Sequence, residues 1–352
     1  MKQSMTLLQG GAQSQYALIT PIIESKKLRI VGEDRLHEIL NSNGVSEAIT
    51  KIGKTDIGLQ LTQDCQQTVS ARDLELFSWR FLANELYTMY GDYPAKAQLL
   101  IDYYLSKYDV LNLKSVIRKI FCNVLEPAAG MPLGSISRGG RLPDLLECKS
   151  QQEISRLLHS LSMVNYAEII EGTKERMDLE IALEREYYAR LIKMAQKIRD
   201  DRVSDFIGLL IDLTNILLIL RCVSRGRRVK REALLNEGYA LTSRHLDECS
   251  ACNALDAFLA MLGKTAYFRL GARLSEAYLS SRDDLSLENV VNQHANRAAK
   301  EMFLGSVFTP GYILDYVLLR ENEVRLVTTA LKMVEEQIPY DAFAKHFAGG
   351  NV

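Results

Sequence analysis

Two copies of the tripeptide Gly-Lys-Thr are the residues that most suggest chemistry, because this tripeptide ends the loop that cradles nucleotide phosphates. They lie at 53–55 and 263–265. A phosphate loop also needs a glycine five positions earlier, so that bare backbone N–H groups can surround the anion. Ala48 and Phe258 occupy those positions, and both tripeptides fall within helical patterns. We therefore predict no nucleotide site and no bound cofactor.

A metal centre is the second chemistry to consider, since His245, Cys249 and Cys252 lie within two helical turns. A closed structural zinc site needs four ligands, and no second pair follows at zinc spacing. The other histidines are isolated: His37, His159, His294 and His346. None of them has a serine, cysteine or acid beside it in a triad pattern. The sequence thus predicts neither a metal site nor catalytic residues, and we expect a protein that is not an enzyme.

The strongest pattern is a group of Asp, Asn and Arg that recurs at domain-sized intervals. The copies are Asp109, Asn112 and Arg118, then Asp212, Asn215 and Arg221, and a degraded copy at Glu323, Leu326 and Lys332. A Leu-Glu pair precedes each copy by a nearly constant distance, ending at Glu75, Glu180 and Glu288. Self-similarity at a fixed period indicates a repeat architecture. We interpret the chain as three copies of one helical unit, called repeats 1, 2 and 3.

Each repeat is predicted to contain an antiparallel pair of helices. The midpoints between the Glu and the basic residue fall on turn-forming residues, at 91–94, 200–201 and 310–311. Each arm would then be about 20 residues, or roughly 30 Å, long. The opposite charges should meet at the open end, which predicts three ion pairs: Glu75 with Arg118, Glu180 with Arg221, and Glu288 with Lys332. The alternative is that each is a solvated surface charge, since exposed pairs contribute little to stability.

Asp212 lies within the apolar run 206–220, the longest in the chain. A carboxylate buried there without a partner would be costly. The hairpin register puts Arg190 opposite Asp212 and Arg297 opposite Glu323, whereas Asn84 stands opposite the acid of repeat 1. We predict a structural role for these acids, and a functional one stays open. Because of Asp212, no apolar run is long enough to span a bilayer without charge.

Composition bounds the class of protein. The chain has 352 residues, of which 43 are basic and 44 acidic, with a net charge of −1. This charge balance does not indicate a nucleic-acid partner. Hydrophobic residues make up 47%, which is ordinary for a globular protein. The few prolines follow turn-like residues, which favours an all-α fold. No secretory signal is visible, so we expect a cytoplasmic protein whose 6 cysteines are reduced.

The predicted organisation follows from these repeats. Repeat 1 covers residues 16–125, a Gly- and Pro-rich linker 126–140, repeat 2 141–224, a basic junction 225–236, repeat 3 237–335, and a tail 336–352. The junction carries the one concentrated basic patch: Arg225, Arg227, Arg228, Lys230 and Arg231. It lacks interleaved aromatic residues for stacking on bases. Two interpretations of this patch stay open, namely contact with an acidic protein surface and a solvated linker. Binding of nucleic acid or lipid is less favoured.

Four segments of the sequence resemble those of a known family. They are Tyr-Asp-Val-Leu-Asn-Leu-Lys at 108–114, Tyr-Tyr-Ala-Arg-Leu-Ile at 187–192, Ile-Asp-Leu-Thr-Asn-Ile at 211–216 and Leu-Arg-Glu-Asn-Glu-Val-Arg at 319–325. With the three Leu-Glu starts, they closely resemble the C subunit of the A-type and V-type rotary ATPases, the homologue of the eukaryotic d subunit. The resemblance covers about residues 16–335. Leu326 departs from it, since the family pattern usually has Asn there.

The resemblance implies an adaptor without chemistry of its own. Members of that family are all-helical, with three similar subdomains around a pseudo-threefold axis that form a funnel. The funnel seats on the membrane rotor ring of c/K type and receives the central stalk of D and F type subunits, so torque passes between ATP turnover and ion transport. Membrane contact would be indirect, on the cytoplasmic face. The alternative is a generic helical-repeat scaffold for another complex.

Overall fold

The computed structural model describes residues 2–64, 71–122, 130–236, 238–281 and 284–338. These residues form helices and connecting turns without any strand, so the all-α prediction is confirmed. Cys65, residues 126–129 of the predicted linker, Glu237 and the tail from residue 339 lie outside the described part of the chain. The five cysteines within it are all free thiols.

The described residues contain seventeen α-helices and two short 3-10 helices, at Tyr90–Asp92 and Arg231–Ala233. The helices are α1 Lys2–Lys27, α2 Glu33–Leu40, α3 Val45–Ile52, α4 Asp56–Asp64, α5 Ala71–Met89, α6 Ala95–Cys122, α7 Ser135–Arg138, α8 Leu142–Glu147, α9 Gln151–Ser160, α10 Val164–Gly172, α11 Arg176–Ile198, α12 Asp201–Val223, α13 Ser243–Ala251, α14 Leu255–Leu262, α15 Phe268–Ser281, α16 Asp284–Phe303 and α17 Pro310–Glu335.

Two of the predicted turns are confirmed, since 91–94 lies between α5 and α6 and Asp200 lies between α11 and α12. The third turn lies earlier than predicted, at 304–309, because Pro310 and Gly311 are the first residues of α17. Their residue types explain why the helices begin there. The carboxylate of Asp200 accepts hydrogen bonds from the N–H groups of Arg202 and Val203, which caps α12. Pro310 is the first residue of α17, where its missing N–H group costs no helical hydrogen bond.

The chain divides into two compact units. The first comprises Met1–Leu74 together with Asp200–Val352, and the second is Glu75–Arg199. One border lies inside repeat 1, where its predicted hairpin begins, and the other lies at the turn of the hairpin of repeat 2, so the units do not follow the three repeats. The division into three repeats therefore stays a prediction.

The core of the second compact unit is built around α6 and α11, which run antiparallel. Near their middle, the Tyr187 hydroxyl donates to the carbonyl oxygen of Tyr104 at 3.3 Å. Leu183 and Leu191, one helical turn to either side of Tyr187, are fully buried. Apolar burial at a spacing of four residues on α11 supplies the main driving force for this pairing.

The core of the first compact unit is built around α12, α16 and α17. The rings of Phe206 on α12 and Phe303 on α16 pack edge to face with centroids 5.4 Å apart. Helix α12 is long and apolar enough to cross a membrane by length and composition, but 67% of its apolar 18-residue stretch is buried within the protein. Its apolar character is therefore explained by its place in the core.

A buried cluster of charges ties α17 to the N-terminal segments of the same unit. Arg320 is fully buried and donates to the carboxylates of Glu323, at 2.7 Å, and Asp56, at 2.6 Å. It also donates to the carbonyl oxygen of Lys26 at 3.3 Å. A guanidinium group presents five donors in a fixed plane, so it can join three separate elements at once.

Candidate functional site

The repeated charged residues form ion pairs, but in a different register from the predicted one. Arg118 binds Glu180 through two hydrogen bonds of 3.1 and 2.5 Å. Arg221 binds Glu288. The predicted pairs of Glu180 with Arg221 and of Arg118 with Glu75 are therefore wrong, because each arginine binds the Glu of the following repeat. Glu288, predicted to bind Lys332, is held by Arg221.

The ion pairs differ from the predicted ones because of which helices pack against each other. The second arm of one repeat packs against the first arm of the next, as in α6 against α11 and α12 against α16. Since these pairs are antiparallel, the C-terminal end of the earlier helix meets the N-terminal end of the later one. The carboxylate of Glu180 is 13% exposed and also binds Arg176 at 2.7 Å. Although burial opposes its ionisation, the two arginines hold the pKa of Glu180 below its usual value.

The acid and amide of repeat 1 fasten the chain that leads into repeat 2. Asp109 is fully buried and accepts hydrogen bonds from the N–H groups of Ser135 and Ile136, each at 2.9 Å, at the start of α7. Asn112 exchanges two hydrogen bonds with the backbone of Met131, at 2.7 and 3.0 Å. Burial raises the pKa of Asp109, and these hydrogen bonds act against that rise.

The same arrangement occurs in the first compact unit, at the acid and amide of repeat 2. Oδ2 of Asp212 accepts from the N–H groups of Ala240 and Leu241, at 2.6 and 3.0 Å, just before α13. Asn215 exchanges hydrogen bonds of 2.8 and 2.9 Å with the backbone of Leu235. Side chains one turn apart on α12 thus hold the segment that leads into repeat 3. We call this arrangement the acid-amide clamp.

Repeat 3 keeps a reduced form of the clamp. Glu323 is buried and accepts the N–H group of Val31 at 2.8 Å, just before α2. Leu326 has no amide to add, so only the acid contact is kept, and Arg320 supplies the second donor. In sequence order, the last repeat therefore fastens the segment that begins the first one.

The donors predicted for these acids are wrong. Sequence reasoning assigned arginines, whereas the donors to Asp212 are backbone N–H groups and the hydroxyl of Tyr267, at 2.7 Å. Burial, with Asp212 beside it, raises the pKa of Tyr267, which keeps its proton available for this bond. Arg297, which was predicted to bind Glu323, lies instead near His294. Burial, Arg273 and Arg297 together lower the pKa of the His294 imidazole. Backbone donors carry no signal in residue type, which explains the error.

Two glycines that the sequence analysis did not single out complete the clamp. A Cβ atom on Gly134 would lie 2.4 Å from Oδ1 of Asp109, and one on Gly238 would lie 1.8 Å from Oδ1 of Asp212. Neither carboxylate can move aside without losing its hydrogen bonds. A glycine at nearly the same distance after each acid was a signal in the sequence that could have predicted this contact.

The structure gives the two Gly-Lys-Thr tripeptides a structural role. Gly53 and Gly263 end α3 and α14. Thr55 donates to the carbonyl oxygen of Ile52, and Thr265 to that of Leu262, each at 2.7 Å. Both threonine hydroxyls also accept a backbone N–H group of the following segment, at 3.1 Å. These contacts turn the chain between two helices.

The His245, Cys249 and Cys252 group is also occupied by structural contacts. His245 completes a capping box with Thr242 at the start of α13. Cys249 packs its sulfur 3.7 Å from that of Met261, and burial raises the pKa of its thiol to about 12. Among the described residues, no group of three or more His, Cys, Asp or Glu side chains is placed to hold a metal ion.

The basic junction after α12 presents its charges outward. Gly226 has φ +65°, a value that suits glycine at the end of a helix. Val229 is buried and anchors the segment, while Arg227 and Arg228 on one side and Lys230 on the other are exposed. The junction therefore concentrates exposed positive charge on a short segment that Val229 anchors.

The members of the junction do not all behave alike. Arg225 is exposed, as are the three cations around Val229. Arg231 instead binds Asp247 at 2.7 Å and Asn236 at 2.9 Å, so its charge is used within the fold. The candidate contact surface is therefore smaller than the sequence predicted.

Comparisons with known proteins agree with one another. The profile of a family described as ATP synthase (C/AC39) subunit matches residues 19–345. The C subunit of the A-type ATP synthase of Methanocaldococcus jannaschii is 23% identical over 331 residues, covering 90% of this chain and 82% of the relative. The protein of the same name in Thermococcus onnurineus is 27% identical, covering 92% and 87%.

Proposed function

This chain belongs to the ATP synthase (C/AC39) subunit family, and from that premise we propose that it is the non-catalytic socket between the central stalk and the membrane rotor ring of a V/A-type rotary ATPase. Its partners would be stalk subunits of D and F type and the c/K-type ring. In this role it transmits torque that couples ATP turnover to ion transport. It would lie peripherally, on the cytoplasmic face, and touch the membrane only through the ring.

The observation that carries this proposal is the repeated acid-amide clamp. An acid on the second arm of each repeat fastens a segment that leads into another repeat or lies in its first part, in the order 1 to 2, 2 to 3 and 3 to 1. A linear scaffold has no need of the third contact, whereas three subdomains around a pseudo-threefold axis do. The clamp therefore supports the funnel architecture that the family resemblance implies.

Resistance to shear supports the torque-transmitting role. A protein that carries torque must keep its elements from sliding past one another under load. Buried hydrogen bonds to charged groups are directional and each is worth about 1.5–3 kcal/mol, more than a neutral bond. Asp109, Asp212 and Glu323 each place such bonds between a long helix and a connecting segment.

The basic junction is the surface that we assign to a protein partner. Arg227, Arg228 and Lys230 are exposed cations with Val229 buried beneath them. An acidic surface on a neighbouring protein of the complex would be attracted to them and would be held in one orientation. The alternative of a solvated linker predicts that reversing these charges has no effect on assembly.

The decisive experiment measures coupling in the intact complex. A membrane preparation lacking this chain should retain ATP hydrolysis by the head but lose ATP-driven ion uptake, and adding the purified chain back should restore it. Co-purification of stalk and ring proteins on the tagged chain is the accompanying readout. Normal ion uptake without the chain would eliminate the proposed role.

A charge-reversal variant tests the contact surface. Replacing Arg227, Arg228 and Lys230 together by Glu should lower recovery of stalk and ring proteins on the tagged chain. The matched control replaces three exposed cations of the same compact unit, Lys54, Lys264 and Arg269, by Glu. If both triple variants assemble like the unaltered chain, the junction is not a contact surface.

A further inference from the structure

A basic groove lies along one end of the α6 and α11 pair, opposite the end that carries the Arg118–Glu180 ion pair. Its volume is about 710 Å³, within the range of sites for small molecules. The lining residues are Lys96, Tyr103, Arg190, Lys193, Gln196, Lys197 and Arg199. Five of these seven side chains are cationic and none is acidic. The acid-amide clamps and the basic junction share no residue with this groove.

Within the described part of the chain, none of the five cations of the groove forms an ion pair with a carboxylate. Lys96 donates to the carbonyl oxygen of Ile198 at 2.8 Å, which fixes its ammonium at the C-terminal end of α11. Burial raises the pKa of Asp109, and Arg190 is close enough to that carboxyl to act against the rise. A cluster of like charges is self-repelling, so it favours a bound anion.

Arg190 is already positioned for such a ligand. Its guanidinium group lies over the ring of Tyr103, at 5.4 Å from the centroid, and over that of Tyr166, at 5.3 Å. Two aromatic contacts restrict the side chain before any ligand arrives, which lowers the entropic cost of binding. A planar guanidinium group can then present two parallel N–H donors to phosphate oxygens.

We propose that this groove binds a small, multiply phosphorylated anion. The concave shape and the convergence of five cations, four on α6 and α11 and one directly after α11, favour a compact ligand with several negative charges. An extended acidic protein segment would be expected to meet a flatter row of charges. Lys193, Lys197 and Arg199 are exposed at the groove and would supply most of the attraction, while Arg190 and Lys96 would orient the ligand.

Titration calorimetry on the full-length chain with inorganic triphosphate tests this proposal directly. The unaltered chain should bind triphosphate with an affinity that weakens as salt rises, because the groove is open to solvent. Replacing Lys193 and Lys197 together by Ala should weaken binding by about tenfold or more, since it removes two charge-assisted contacts. The matched control replaces Lys149 and Lys174 of the same compact unit by Ala, and it should bind like the unaltered chain.

Three results would overturn the proposal. The first is absence of triphosphate binding to the unaltered chain at about 50 mM salt, where surface charges are weakly screened. The second is equal weakening in the double variant and in the control, which would indicate attraction to the surface as a whole. The third is binding of an oligoglutamate peptide, but not of triphosphate, with loss in the double variant, which would make the groove a protein contact. Circular dichroism checks that each variant is folded.

Discussion

Two antiparallel helix pairs, α6 with α11 and α12 with α16, have the same type of contact at one end and different contacts at the other. At the shared end, Arg118 binds Glu180 in the first pair and Arg221 binds Glu288 in the second. At the far end, the first pair has the basic groove, whereas the second closes with the edge-to-face contact of Phe206 and Phe303. One end of the repeated element is thus preserved and the other is not.

Aligning α11 with α16 at their ion-pair glutamates shows how far the groove end has diverged. The positions of Arg190, Lys193, Gln196 and Lys197 in α11 are taken in repeat 3 by Ala298, Glu301, Leu304 and Gly305. The buried faces agree under the same alignment, as Leu183 and Leu191 correspond to Val291 and Ala299. The two helix pairs therefore share the residues that build the element, whereas the basic groove lies in the first pair alone among the two.

Removing the clamp acids is the strongest test of the shared part of this comparison. Asp109→Ala and Asp212→Ala should each lower the free energy of unfolding by about 3 kcal/mol, since each leaves two backbone N–H groups unpaired, one buried and one partly buried. Urea denaturation followed by circular dichroism measures this. Asp205→Ala, an exposed acid on α12, should change stability by less than about 0.5 kcal/mol. A large loss for only one clamp would show that the two are not equivalent.

The contrast between predicted and observed pairs shows what the sequence can specify. The turns at Gly91–Pro94 and Asp200 were predictable because turn formers and helix caps act locally. The partner of Glu180 was not, because it depends on which helices pack together, and that is decided by whole buried faces. The prediction therefore identified the charged residues that form ion pairs but assigned them the wrong partners.

The basic groove was missed for a related reason. Lys96 lies on α6 and the other cations lie on or just after α11, so about a hundred residues of sequence separate them. Taken along the chain, Lys193 and Lys197 are ordinary surface residues of an amphipathic helix. Only the antiparallel packing of the two helices makes them one site. The glycines of the clamp, by contrast, were visible in the sequence as a repeated spacing.

The two ion pairs offer a smaller and graded test. Arg118→Met should lower the free energy of unfolding by about 1 kcal/mol, and Arg221→Met by about half of that. The difference follows from burial, because Glu180 is 13% exposed and Glu288 is 36% exposed, so solvent screens the second pair more. Urea denaturation at neutral pH provides the measurement, and Arg118→Lys should recover part of the loss. Equal effects of the two Met variants would contradict this ranking.

The Glu180 pair also predicts a pH dependence. The pKa of Glu180 in the folded protein lies below its usual value of about 4.3. Its contribution is therefore fully present above that value and is lost as the pH falls through the lower folded value. Stability should decline between about pH 5 and pH 3 more steeply in the unaltered chain than in Glu180→Gln. Parallel curves for the two proteins would show that the pair contributes nothing.

The smallest expected effect addresses the end where the two helix pairs differ. Lys193 and Lys197 lie one turn apart on α11, and like charges at this spacing destabilise a helix. Lys193→Glu copies the Glu301 of repeat 3 and turns the repulsion into a favourable pair with Glu on the N-terminal side. It should raise the free energy of unfolding by about 0.5 kcal/mol at low salt, and the gain should disappear at about 1 M salt.

Lys174→Glu, which reverses an exposed charge that does not line the groove, is the matched control and should show no salt-dependent gain. Thermal denaturation at the two salt concentrations measures both variants. A stabilised Lys193→Glu protein would mean that the groove keeps its cations at a cost to the fold, as a site retained for binding does. A variant that is destabilised at low salt would mean that the fold itself needs these charges. Both ends of the helix pair would then serve the stability of the fold.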